Sequence, residues 1–201
     1  IKTHVEWDNE NKNIERIAPR CQYVGIPPLT IPGRKRAQMY NGEAYWTLIG
    51  KIKNNPHISI PIIGNGDIDS PEKAALMFDR YGVDGIMIGR ATFGRPWIFK
   101  EIKHFLNTGE ILPQPSVCER VELAKRHFAK SLEIKGEKVG IFEMRRHFSC
   151  YFKGLPSFKE TRMKLVTSTD ITEIYETLDF IGEKWGDTDF SREIPENIMA
   201  K

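Results

Sequence analysis

The sequence predicts an α/β region followed by an all-α region, and three observations carry that expectation. Two short apolar runs, Ile60 to Ile63 and Gly85 to Ile88, each end in a glycine-containing loop and are separated by a stretch of helical spacing. That is the order of a strand-helix-strand crossover in a parallel sheet buried on both faces. A segment rich in turn formers, 107–115, then interrupts the chain, and beyond it the apolar period is helical throughout. With 201 residues and 40% hydrophobic content, the chain can bury a real core in one or two domains.

Taken in order, residues 1–7 read as a first strand, followed by a charged turn at 8–12 and a helix over 13–23 that Pro19 should kink or delay. Residues 28–31 read as the second strand, which opens into Pro32, Gly33, Arg34, Lys35 and Arg36. A helix over 43–54 puts Trp46, Ile49 and Ile52 on one face, so Trp46 is assigned to the core. After the third strand comes the loop Gly64, Asn65, Gly66, Asp67; then Asp69 and Ser70 offer N-caps, Pro71 a first turn and Gly82 a stop. The fourth strand opens into Gly89 and Arg90, and Gly94, Pro96 and Trp97 start another helix. Four helices should follow, over 116–135, 139–153, 157–166 and 170–183, with Ser168 to Asp170 capping the last. The expected domains are 1–106, a linker 107–115, a helical domain 116–185 and a loose tail 186–201.

Three cysteines, Cys21, Cys118 and Cys150, lack any CxxC spacing, which argues against a disulfide framework or a zinc site and fits a reducing cytoplasm. No apolar run is long enough to span a bilayer and no signal peptide is visible. A formal charge of +3 is too small to establish a nucleic-acid partner by itself. The chain opens on Ile1 rather than Met, directly on a strand, so a fragment is expected.

Loops at the carboxyl ends of neighbouring parallel strands are where such sheets bind ligands. Glycines let backbone N–H groups approach phosphate oxygens, a helix N-terminus adds a positive field, and Arg90 adds a planar, permanently charged donor. Either loop alone reads equally well as a tight turn. Paired on adjacent strands, Gly66 and Gly89 favour a site for a phosphate.

Asn65-Gly66-Asp67-Ile68, the turn Met87 to Ala91 and the run Gly94 to Phe99, at this separation, resemble the end of the flavin-binding barrel of the tRNA-dihydrouridine synthases, especially the bacterial B-type branch. The resemblance reaches back to Lys2 and forward through Met144 to Pro156 as far as about Ile181. It implies that the four β/α repeats are the carboxyl-terminal half of a (β/α)8 TIM barrel, followed by an all-α four-helix domain that contacts tRNA. A whole barrel takes roughly 250 residues alone. The activity implied is flavin-dependent, NADPH-driven reduction of a uridine C5–C6 double bond in tRNA, with FMN as cofactor and a cysteine upstream of the Lys2 strand as proton donor. Cys21, Cys118 and Cys150 are then ordinary helical cysteines and no catalytic residue is assigned in this chain.

By the same resemblance Lys2, Asn65, Gly66, Asp67, Gly89 and Arg90 hold FMN. Lys2 is otherwise a solvent-facing terminal lysine. Two positions depart from the family: His4 stands where Arg is usual, and Pro32 stands where a histidine reaches the flavin, offering neither a side-chain donor nor a backbone N–H. Tyr45 replaces an acidic residue before Trp46. In the helical domain Arg120, Lys125, Arg126, Lys130, Lys135 and Lys138 precede Arg145, Arg146, His147, Lys153, Lys159, Arg162 and Lys164, with Phe148, Tyr151 and Phe152 interleaved. Charged helix faces are usually only solvated. The resemblance selects Arg145, Arg146, Lys153, Lys159 and Arg162 as the tRNA contacts. Two other readings stand beside the enzyme: a non-catalytic tRNA-binding remnant, and a different FMN- or phosphate-binding barrel such as a dihydroorotate dehydrogenase relative. Exposed edges of half a barrel would also recruit further copies of the chain.

Overall fold

A computed structural model describes residues 1–3, 14–26, 28–34 and 42–188. His4 with the rest of the first expected strand, the turn at 8–12, the helix start at 13, Lys35, Arg36, the segment 37–41 and the tail from 189 lie outside the described residues. The chain divides into two compact units: Ile1–Thr92 with Trp97–Ile111, and Phe93–Pro96 with the chain from Leu112 onward.

In the first unit helices alternate with three parallel strands: α1 (Ile14–Tyr23), β1 (Leu29–Pro32), α2 (Trp46–Lys53), β2 (Ile62–Asn65), α3 (Pro71–Tyr81), β3 (Gly85–Met87) and α4 (Ile98–Thr108). The strand order is β1-β2-β3, and Lys2 adds one parallel bridge to Thr30 at the outer side of β1. Leu29, Ile31 and Ile62 are fully buried in a core with Ile14, Trp46, Ile49, Ala74 and Ile98. Side chains alternate between faces, so Thr30 and Ile63 lie on the opposite, half-buried face.

Strand ends move by two residues from the expected positions in β2, and the register gives the reason. Pro61 has no N–H for the ladder; Ile62 instead gives its N–H to the Asp84 carboxylate at 2.7 Å. Pairing of Pro32 with Asn65 then carries the strand through Asn65. Burial works against the charge of Asp84, but the Lys53 ammonium at 2.7 Å and the Ile62 N–H outweigh it and hold the carboxyl below its usual range. The α2 helix begins at Trp46 rather than 43, because the N–H of Ala44 goes to Asp67 at 3.0 Å and that of Tyr45 to the Gly33 carbonyl. The α1 helix continues through Pro19 to Tyr23. Ser70 caps α3 through Lys73 N–H and Gly82 closes it in the left-handed conformation. The α4 helix runs to Thr108, two residues into the stretch expected as linker, and Gly109 ends it.

The second unit is helical: α5 (Val117–Lys135), α6 (Glu137–Tyr151), α7 (Lys159–Thr167) and α8 (Ile171–Trp185). Ser116 and Glu119 form a reciprocal capping box on α5, and the Asp170 carboxylate accepts from Thr172 and Glu173 N–H at the start of α8. Only Gly136 joins α5 to α6, so the two lie side by side. The core is aromatic: Phe128 meets Phe148 at 5.5 Å between ring centroids, and Phe152 meets Phe158 at 5.9 Å. Phe93–Pro96 packs here rather than with β3 and α4, the elements of the first unit on either side of it in sequence. Gly94 has φ 61°, and a Cβ on it would stand 2.3 Å from the Tyr151 nitrogen, so only glycine brings this segment against α6.

Candidate functional site

The loops after β1, β2 and β3 sit at the same end of the parallel sheet. Pro32 and Asn65 are paired, as are Asn65 and Met87. The loop after β2 is held tightly. Gly33 N–H reaches the Asn65 carbonyl at 2.6 Å, and the Trp46 indole donates to the Gly66 carbonyl at 3.0 Å. Gly66 has φ 155°, and a Cβ there would stand 2.6 Å from the Ala44 Cβ. Asp67 follows at φ 49°, a left-handed conformation that aspartate tolerates at a cost. Asn65 spends its side-chain amide on the Met87 carbonyl at 2.7 Å, tying the β2 end to the β3 end. Around Gly89 an added Cβ would meet nothing within 4 Å, so the backbone there faces open space.

Asp67 is the electrostatic centre of these loops. Its Oδ2 accepts from Arg34 Nη2 at 2.5 Å and from Ala44 N–H at 3.0 Å, while its Oδ1 accepts from Arg90 Nη2 at 2.9 Å. The Arg34 side chain is 15% exposed, that of Asp67 20% and that of Arg90 53%. Two guanidiniums share this one carboxylate, beside the open backbone of Gly89. An anion of phosphate size fits that donor set. The helix after this loop starts next to Trp97, the position expected from the sequence, and not at Arg90. Arg90–Thr92 makes a single 3-10 turn, closed by Thr92 N–H and hydroxyl on the Gly89 carbonyl, and α4 begins only at Ile98. Charge at this loop therefore comes from side chains rather than from an α-helix dipole. Lys2 is exposed and pairs with Thr30, two positions before Pro32.

In the helical unit the basic residues fall into two groups. Arg120 is buried and donates to the Pro115 and Tyr151 carbonyls at 3.0 and 3.3 Å. Lys125 is paired with Asp179 and Glu122, which raise its pKa against the effect of burial; Lys130 pairs with Glu133, Lys135 with Glu143 and Lys164 with Glu173. Arg145 donates to the Thr167 carbonyl at 3.0 Å and lies over the Phe142 ring at 4.4 Å, so it ties α6 to the end of α7. Arg146, Lys153, Lys159 and Arg162 are exposed. The interleaved aromatics Phe148, Tyr151 and Phe152 are fully buried core residues and present no stacking surface.

Behind Arg146 lies a half-buried aromatic and histidine cluster. Arg146 stands over the Phe93 ring at 4.7 Å, Phe93 meets the His147 ring edge-on at 5.3 Å, and His147 meets His127 at 4.5 Å. Gly94 N–H points to His147 Nδ1 at 3.4 Å, and His127 Nδ1 is 3.2 Å from the Tyr151 hydroxyl. Burial lowers both histidine pKa values, aided by Lys135 at His127 and by the neighbouring His127 at His147. Burial pushes the Tyr151 phenol up to about 12.

The loops NGD and GR, held on parallel strands ahead of a helical unit, are matched by the dihydrouridine synthase family model across residues 1–184. The chain belongs to the dihydrouridine synthase family. It is 43% identical over 164 residues to a tRNA-dihydrouridine synthase B of Pseudomonas putida, an alignment covering 82% of this chain and 48% of that protein. A probable tRNA-dihydrouridine synthase 1 of Synechocystis is 38% identical over 179 residues, covering 89% and 50%. One from Rickettsia conorii is 37% identical over 162 residues, covering 81% and 48%. The B-type relatives place this family member in the bacterial B-type branch. The chain spans about half the length of the curated relatives it matches.

Two residues of this candidate site are not singled out by the sequence. Arg34 was placed at the ligand face but given no role, and Ala44 was not considered. Nothing in local sequence signals that Ala44 gives its N–H to Asp67 or crowds Gly66, because residues 44 and 66 meet only when α2 packs beside β2.

Proposed function

We propose that the first unit is the FMN-binding carboxyl-terminal half of a (β/α)8 barrel and the second a tRNA-binding helical domain, from an enzyme that reduces uridine to dihydrouridine in tRNA with NADPH as reductant. The observation that carries the cofactor reading is the Arg34–Asp67–Arg90 cluster beside open Gly89 backbone. Arg90 and the Gly89 backbone would take the phosphate. Gly66 and Asp67 would carry the rim of the site, Asn65 would fix it to β3, and Lys2 would approach from the sheet face. When bound, FMN supplies the hydride-transfer chemistry; the chain's own residues bind and orient it. The 201-residue polypeptide alone should not turn over. Cys21, buried in α1, and Cys118 and Cys150, on α5 and α6, are read as ordinary helical cysteines rather than as proton donors.

On the second unit, exposed Arg146, Lys153, Lys159 and Arg162 would meet tRNA phosphates, with Arg145 holding α6 to α7. The scatter of free cysteines supports a reducing, cytoplasmic setting. Among the described residues no helix is long and apolar enough to cross a membrane, and no group of His, Cys, Asp or Glu is placed to hold a metal. Self-association through the outer strands is part of the same reading. A second reading, a tRNA binder without cofactor, is favoured by Pro32, which is locked in the β1 ladder opposite Asn65 and has no donor to offer. Flavin fluorescence quenching separates the two: micromolar FMN binding that Arg90→Ala weakens at least tenfold supports the cofactor site, whereas tRNA retention on filters with no FMN binding at millimolar concentration supports the binder.

A further inference from the structure

We infer that Asp67 is a built-in stand-in for the ligand's phosphate, occupying Arg90 until an anion takes that arginine over, while Arg34 keeps Asp67 and its strained loop in place. The inference rests on the cofactor reading above and concerns how that site is regulated by its own charge. Three features distinguish the two arginines. Arg34 is nearly buried and bonds the same Asp67 oxygen that receives the Ala44 N–H, so that oxygen is locked from two sides. Arg90 bonds the other oxygen from a half-exposed side chain. Arg90 also leads directly out of Gly89, whose surroundings are open.

A pair with an exposed partner is screened and contributes little stability, so the Arg90–Asp67 contact exchanges readily. Its effect on an incoming phosphate is nevertheless unfavourable in two ways: the ligand must displace a carboxylate from Arg90, and it then sits beside that negative charge. Arg34 offsets the second effect by keeping its own bond to Asp67 throughout. The locked oxygen also matters for the backbone. Asp67 stands at φ 49° and Gly66 at φ 155°, and the Arg34 and Ala44 contacts are what over-determine that conformation. Arg34 is thus a positioning residue that acts through Asp67.

The test uses the full chain, with inorganic phosphate and FMN as separate probes, on wild type, Asp67→Asn and Arg34→Lys. The asparagine retains an oxygen for the Ala44 N–H but no charge. Inorganic phosphate should bind Asp67→Asn about fivefold tighter than wild type, the factor equivalent to about 1 kcal/mol between unit charges about 4 Å apart in water. A merely structural role for Asp67 cannot produce a gain. Arg34→Lys keeps the charge but loses the planar fork and, because Arg34 acts through Asp67, should weaken FMN severalfold in wild type but much less in the Asp67→Asn background. An equal loss in both backgrounds overturns its positioning role. Unchanged or weaker phosphate binding by Asp67→Asn, with wild type still binding FMN, overturns the stand-in and leaves the site intact. No binding of either probe to wild type or Asp67→Asn at millimolar concentration overturns the cofactor site and the stand-in together.

Discussion

The two units place their candidate functional residues by different means. At the loops of the first unit nearly every element of geometry is imposed by a residue distant in sequence: Ala44 sets the space over Gly66, Trp46 holds its carbonyl, and Arg34 and Arg90 share Asp67. In the second unit the exposed cations lie on or beside α6 and α7, helices without a side-chain N-cap that pack into a largely aromatic core. A site of the first kind should fail when its backbone is disturbed, even where the core is untouched. A surface of the second kind should lose one contact at a time and should collapse only with its core.

The largest expected effect tests that core. Phe148→Ala removes a fully buried ring packed on Phe128 and should cost about 3–5 kcal/mol, with most of the helical signal lost at lower denaturant. A loss below about 1 kcal/mol in a chemical denaturation series would show that the helical unit does not depend on this core. Next comes Gly66→Ala, which brings a Cβ to 2.6 Å from Ala44 at a φ that L residues rarely adopt. It should cost about 1–3 kcal/mol and at least tenfold in FMN affinity, and leave tRNA retention on filters unchanged. Equal losses of both ligands would erase the contrast between the units.

A smaller effect concerns acid. His127 and His147 have lowered pKa values in the folded state. The unfolded chain therefore binds more protons once the pH drops below the ordinary histidine value of about 6.5. Stability from this pair is complete above that pH and declines as the pH falls from there toward the lowered folded values. Glu143 faces His147 and opposes the shift, while Lys135 and Arg146 enhance it. The melting temperature should fall between pH 7 and pH 5, and the double variant His127→Gln, His147→Gln should flatten that interval. An identical slope in the double variant would assign the acid response elsewhere.

The smallest effect is at the surface. Arg146→Ala should reduce the salt dependence of tRNA binding by about one phosphate equivalent. Arg145→Ala should act mainly through stability, since Arg145 is bonded to the end of α7. A larger change in salt slope for Arg145 than for Arg146 would reverse their assigned roles.

Much of the fold was legible because it is written in local signals. Ser70, Pro71 and Gly82 announce α3, Ser116 with Glu119 announces α5, and the short apolar runs announce parallel strands. The same local signals also marked the loops at Gly66 and Gly89 and, through the motifs NGD and GR, the family. Strand ends were less legible, since pairing of Asn65 with Pro32 on one side and Met87 on the other carries β2 two residues past its apolar run.

What the sequence by itself determined was the order and type of elements, their caps, and which loops carry glycine and charge, because each of these depends on neighbours a few residues apart. Only the tertiary structure decided that Arg145 and Arg120 brace helices while Arg146 stays exposed, that Phe148, Tyr151 and Phe152 are core, that Phe93–Pro96 packs with the helical unit, and that Arg34 and Arg90 converge on Asp67. Such outcomes depend on which side chains packing brings within bonding distance across tens of residues, and a list of charged and aromatic residue types carries no distances.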